Sequence, residues 1–168
     1  MFEITTKGII LDKEPARDYD GVLTIYTEKL GKVIARAKSL RKITSKLAAH
    51  TEIGMLSEVR LVSRNSFMTQ SGLRLADSLL SRQLFSDFYF LELVKELTLE
   101  FHEGRDLWQF LISGNPDRNE LLRLSGFGVA AKTCNYCRNQ AVLFYNIDQV
   151  FLCLLCSTEF PLSRLIKI

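Results

Sequence analysis

Four cysteines, Cys134, Cys137, Cys153 and Cys156, fall in two C-x-x-C pairs separated by fifteen residues, and the chain has no other cysteine. Two residues between cysteines let one tight turn aim both sulfurs at one ion, and C-x2-C-x15-C-x2-C has the spacing of a four-thiolate zinc site. Four thiolates complete a tetrahedron and leave no position open for water or substrate. The spacing therefore predicts one structural Zn2+ and not a catalytic one. The two histidines, His50 and His102, lie far from the cysteines in sequence. Three alternatives stand beside this reading. Two disulfides would require an oxidising compartment. A redox C-x-x-C would leave the second pair without a purpose. Four reduced, buried cysteines would do no chemistry.

The second candidate chemistry is electrostatic. The net charge of +3 is mild, but between Lys29 and Ala49 there are seven basic residues and no acidic one. Strand alternation would put Lys32, Ile34, Arg36 and Lys38 on one face and Val33, Ala35 and Ala37 on the other. The basic face then runs on into Arg41, Lys42 and Lys46. Such a stripe is the footprint expected for phosphates, and these six basic residues are the candidate nucleic-acid contacts. A charge run of this kind is also what a plain solvated face looks like. Aromatics suited to base stacking are few in this half: Phe2, Tyr19, Tyr26 and Phe67.

The elements that must position these groups follow from periodicity. Ile4–Asp12, Val22–Thr27, Lys32–Lys38, Met55–Ser63 and Phe67–Leu75 read as five short strands, with a turn at Glu28–Gly31 and another at Arg64-Asn65-Ser66. Leu40, Ile43 and Leu47 share helical spacing in the gap after the third strand. Five strands with a short helix after the third outline an oligonucleotide-binding (OB) barrel; a small five-stranded sandwich is the alternative. Beyond it, Asp77–Glu103 carries apolar residues at helical spacing and predicts one long helix ended by Gly104. Asp106–Ser113, capped by Asp106, and Asn119–Gly126 predict two shorter helices. Phe85, Phe88, Tyr89, Phe90 and Trp108 are the expected core of this part, with a partner-docking groove as the lesser reading. Ala141–Tyr145 and Gln149–Leu152, joined at Asn146-Ile147-Asp148, predict a hairpin that sets the two cysteine knuckles side by side. The fold class is thus α+β: an OB barrel over residues 1–77, then a small helical domain over 78–168 with a zinc-ribbon-like module at 134–156.

With 168 residues the chain is long enough for an ordinary core. It lacks an apolar run near the ~20 residues of a membrane span, and its first residues lack a secretory pattern. A cytoplasmic protein is the expectation. Nucleophile motifs, phosphate-binding glycine loops and metal-hydrolase histidine pairs are missing from the sequence, so neither an enzyme nor a small-molecule substrate is expected.

Several segments, taken in order, resemble the bacterial recombination mediator family RecO. Thr6–Leu11 is similar to the family's opening strand. Asp18–Thr27 resembles its acidic loop and second strand. Lys38-Ser39-Leu40-Arg41-Lys42-Ile43-Thr44-Ser45 is similar to its basic K-G-x-R-[KR]-x-x-S stretch. Leu121–Phe127 precedes Cys134 as a leucine-rich segment does there. The resemblance covers nearly the whole chain. It implies a protein of DNA repair and homologous recombination that binds single- and double-stranded DNA and anneals complementary strands. It further implies work with a RecR-like partner on DNA coated by single-strand-binding protein (SSB), whose C-terminal tail docks on the family's helical domain. Lys38, Arg41 and Lys42 would belong to the DNA surface. Two departures stand out: Ser39 occupies a position where the family usually has glycine, and Gly21 one where a basic residue is common. The helical region also reads as shorter than usual, and the chain as a shortened member. Two other functions fit the residues: a zinc-containing interaction adaptor in which DNA binding is secondary, and a zinc-ribbon factor acting on RNA or transcription.

Overall fold

A computed structural model describes residues 2–63, 73–128, 133–145 and 147–168 of the chain. Five antiparallel and parallel strands close into a barrel in the order β1-β2-β3-β5-β4: β1 Phe2–Pro15, β2 Gly21–Thr27, β3 Gly31–Ala37, β4 Met55–Ser63 and β5 Arg74–Gln83. Closure depends on the length of β1. Its first half pairs with β4 (Phe2↔Ser63 to Ile9↔Leu56) and its second half with β2 (Gly8↔Thr27 to Pro15↔Gly21). A register shift between Ile10 and Asp12 supplies the bend.

The barrel interior follows the alternation read from the sequence. Val33, Ala35 and Ala37 of β3 are fully buried and pack with Ile10, Leu23, Ile25, Val59 and Leu61. Small side chains are required in so narrow a barrel. At Gly8 there is no room even for a methyl group, because a Cβ would come within 2.6 Å of Ile25 Cγ2. Gly31 turns the chain into β3 with φ +66°, and a Cβ there would overlap the His102 backbone.

Several expected elements differ. The fifth strand begins at Arg74, not Phe67, and continues to Gln83; residues 64–72, with the expected turn at Arg64-Asn65-Ser66, lie outside the described residues. The domain boundary expected at 77/78 therefore falls inside β5. Two compact units form instead, Met1–Asn115 and Pro116–Ile168. The gap after β3 holds turns and a single 3-10 turn at Ala48–His50, not a helix through Leu40, Ile43 and Leu47. Leu40 is buried but Ile43 is wholly exposed, so the three do not share an apolar face.

The long helix expected over Asp77–Glu103 is replaced by the end of β5 and a short α1, Phe88–Leu97. Asp87 caps α1 by accepting a hydrogen bond from the Phe90 N–H. Phe90, Leu91, Leu93 and Val94 form its buried stripe, while Phe88 and Tyr89 face solvent, contrary to the expected core. Phe85 and Trp108 are buried as expected. Helix α2, Arg105–Ile112, starts at Gly104, and Asp106 lies in its first turn, not at its cap.

The second unit contains α3, Arg118–Leu124, and a three-stranded sheet in the order β7-β6-β8: β6 Leu143–Tyr145, β7 Val150–Leu152 and β8 Leu165–Lys167. Asp117 caps α3 through the Asn119 and Glu120 N–H groups. The β6–β7 hairpin matches the expected pair of strands, with a turn at 147–149, and Asn146 lies outside the described residues. Strand β8 has no counterpart in the sequence reading.

Candidate nucleic-acid interface and metal centre

The hairpin brings all four cysteine sulfurs within 4.8 Å of one another, with Cys137 and Cys153 Sγ at 3.5 Å. A tetrahedral zinc with Zn–S bonds of about 2.3 Å needs sulfurs about 3.8 Å apart, and a disulfide needs about 2.05 Å. The spacing suits a shared ion, and all four cysteines are free thiols. Cys134 is fully buried and Cys153 nearly so.

The first knuckle is a turn closed by Arg138 N–H to Cys134 O at 3.1 Å, with Arg138 at φ +67°. In the second, the Cys156 N–H points at Cys153 Sγ from 3.4 Å. Burial opposes ionisation of Cys134, but backbone N–H groups of Cys137, Cys153 and Tyr136 outweigh it and hold its pKa down at about 6. Donors aimed at sulfur favour the thiolate, the form that binds metal. Asn135, which the sequence reading did not single out, joins the knuckle to β7: its side chain accepts from Phe151 N–H at 2.7 Å and its N–H donates to Phe151 O at 2.9 Å. An Asn directly after the first cysteine is the signal that could have found it.

In the barrel, the six basic candidates separate into different environments. Arg36, Lys38, Lys42 and Lys46 are exposed, and none of them makes an ion pair among the described residues. Lys42 Nζ sits 5.7 Å from the centre of the exposed Tyr19 ring, within cation–π reach.

Lys32 is half-buried and donates at 2.6 Å to the Lys95 carbonyl at the end of α1. Burial lowers its pKa, against the pull of Glu100 and Glu96. Lys95 in turn makes a 2.7 Å ion pair with Asp12. Lys32 thus fastens α1 to the barrel and is drawn away from the exposed stripe.

Arg41 has a different employment again. Its guanidinium donates to the backbone carbonyls of Ala16 (3.0 Å), Asp20 (3.2 Å) and Asp18 in the β1–β2 loop, and its N–H donates to Tyr19 O at 2.8 Å. The Asp20 carboxylate accepts the Ser39 N–H at 2.7 Å. This clasp fixes the loop that presents Tyr19. Ser39 has φ +56°, the left-handed conformation for which glycine is favoured. Arg41→Ala is expected to destabilise the barrel by about 1 kcal/mol, since it leaves the loop carbonyls to water, and to increase proteolysis within residues 16–20. Wild-type denaturant midpoint and proteolysis pattern in the variant would contradict this.

Arg74 was not among the candidates. It stands opposite Arg36 in the β3–β5 pairing and is equally exposed. Only the register of the closed barrel brings the two together, since 37 intervening residues separate them.

A small closed barrel with one exposed basic face, followed by a four-cysteine module, places the chain among barrel proteins that carry a metal-type knuckle pair. Residues 1–79 match the family described as Recombination protein O N terminal. The chain is 35% identical over 116 residues to a DNA repair protein RecO of Dehalococcoides mccartyi, covering 66% of this chain and 46% of the relative. It is 29% identical over 163 residues to the protein of that name from a second strain, covering 86% and 64%. The corresponding protein of Clostridium novyi is 28% identical over 154 residues, covering 79% and 59%. Residues 1–79 carry a RecO N-terminal domain, and most of the chain is similar to RecO proteins. It spans between about half and just under two thirds of the length of these curated relatives.

Proposed function

We propose that this chain is a DNA-binding recombination mediator and annealing protein of RecO type, acting in DNA repair. The observation that carries this reading is the exposed row of Arg36, Lys38 and Lys42 beside the clasped β1–β2 loop, without an acidic partner among the described residues. The barrel is read as an OB fold, whose strands 2–3 and whose loops β1–β2 and β4–β5 are the usual ligand face. Phosphates of single- or double-stranded DNA lie along that row, and Lys46 extends it.

Annealing on such a face uses no cofactor energy and no catalytic residue. Cations neutralise two backbones, lower their repulsion and leave base pairing to drive the reaction. The four cysteines hold one structural zinc, a role supported by the sulfur spacing and the closed donor set. A RecR-like protein and the SSB tail are proposed partners on family grounds. A cytoplasmic location goes with DNA repair; among the described residues no helix is long and apolar enough to cross a membrane.

The test is a fluorescence assay of annealing between complementary oligonucleotides, with and without SSB. Acceleration of both reactions that fades steeply with salt is the expected result. No acceleration on bare DNA, together with tight association with a RecR-like protein, would replace this reading with that of an adaptor.

A further inference from the structure

The barrel closes through an uneven set of seams. Among the described residues, β3 and β5 share two register pairs, Arg36↔Arg74 and Ala37↔Leu75, where every other seam has seven or eight. Ala37 and Leu75 are buried beneath the seam. Arg36 and Arg74 stand side by side on its outer face, both exposed. The row continues through half-buried Val22 on β2 and Val62 on β4, so it contains no carboxylate between the valines.

The nearest acids of the row stand one strand beyond each valine: Glu14 beyond Val22, with no ion pair among the described residues, and Glu3 beyond Val62. Glu3 is paired with Arg60, and Asp20 accepts the Ser39 N–H. Like charges directly opposite one another on a sheet face are destabilising. Arg36 and Arg74 are therefore a repulsive pair, and neither is offset by an ion pair among the described residues. A tetrahedral oxyanion reverses the sign of that interaction, because two guanidiniums can each donate to its oxygens.

We propose that Arg36 and Arg74 form a phosphate clamp across the β3–β5 seam, so that binding of a backbone phosphate staples the barrel closed. The clamp builds on the DNA-binding reading and adds to it a coupling between ligand and barrel stability. An anion that binds only the closed barrel must raise its melting temperature. Arginine is retained at both positions for binding, at a cost to the stability of the free protein.

The experiment compares wild type with Arg36→Gln, Arg74→Gln and Arg74→Lys. It measures thermal melting in low salt with no added anion, with inorganic pyrophosphate and with oligo(dT), and oligo(dT) affinity over a salt series. Oligo(dT) at about a hundred times its Kd should raise the wild-type melting temperature by roughly 10 °C. Each glutamine variant should melt no lower than wild type without anion, gain less from either anion, and lose about 0.7 from the magnitude of the salt slope. Arg74→Lys should keep most of the slope. A glutamine variant with wild-type slope and wild-type anion response overturns the clamp. Absence of oligo(dT) binding by the wild type overturns the DNA-binding reading instead. In that case a pyrophosphate-induced gain that Arg74→Gln loses still supports the clamp, and no gain at all overturns both.

Discussion

Cys134→Ser is expected to unfold the C-terminal unit, residues 116–168, while the barrel keeps its own cooperative transition. The unit is small. Its core around the metal site consists of Cys134, Tyr145, Leu152 and Cys153, with Leu143, Val150, Cys156, Phe160 and Leu165 packed against it. Domains of this size often need a metal or disulfides to stay folded. The sheet strands have only three residues each, and the aromatic packing of Phe144 on Phe151 at 5.2 Å and Tyr145 on Phe160 at 4.8 Å requires the knuckles to be in place. Structural zinc sites contribute about 10–16 kcal/mol of apparent binding free energy, which in such units is folding free energy. Serine at the fully buried Cys134 position removes one thiolate and leaves a hydroxyl with no metal to bind. One zinc per chain by elemental analysis, lost with the β6–β7 amide signals in Cys134→Ser or after chelation, is the expected outcome. Wild-type spectra from metal-free protein would contradict it.

The parts legible in the sequence were those with a strict period or spacing. The two C-x-x-C pairs named their own neighbours, and the β3 alternation placed Val33, Ala35 and Ala37 inside the barrel. Strand β4 was readable end to end, and from Ser57 to Ser63 every second residue, Ser57, Val59, Leu61 and Ser63, is buried. The β5 region was not. Leu79 and Leu80 are adjacent and both exposed, and Leu80 sits at φ +49° in an irregular stretch that breaks the period of 2 and leaves a spacing resembling a helix. Ser86-Asp87 was the available sign that α1 starts only there. Within the basic stripe, charge alone could not tell Lys32 and Arg41, which hold α1 and the β1–β2 loop, from Arg36, Lys38 and Lys42. Those assignments depend on carbonyls supplied by other elements. Arg74 gains its place from barrel closure, which no local pattern encodes. Strand β8 is three residues long and depends on β6 for its partner, so its own sequence carries little signal.

The second large effect concerns the barrel face. Replacing Arg36, Lys38 and Lys42 together by alanine should lower single-strand affinity on the order of 100-fold at low salt, because each lost phosphate contact forfeits the release of a condensed counterion. The three side chains are exposed and hold no ion pair among the described residues, so their removal leaves no buried charge behind. Stability should stay near wild type, in contrast to Arg41→Ala, whose guanidinium holds three carbonyls. Loss of binding with an unchanged melting curve separates a contact role from a structural one.

The most direct measurement is the slope of log affinity against log salt for a fluorescent oligo(dT), wild type beside the triple variant. The prediction is a strong salt dependence in wild type, its magnitude reduced by about 2 in the variant, close to 0.7 for each of three phosphate contacts. Equal slopes for the two proteins would contradict a DNA face on the barrel.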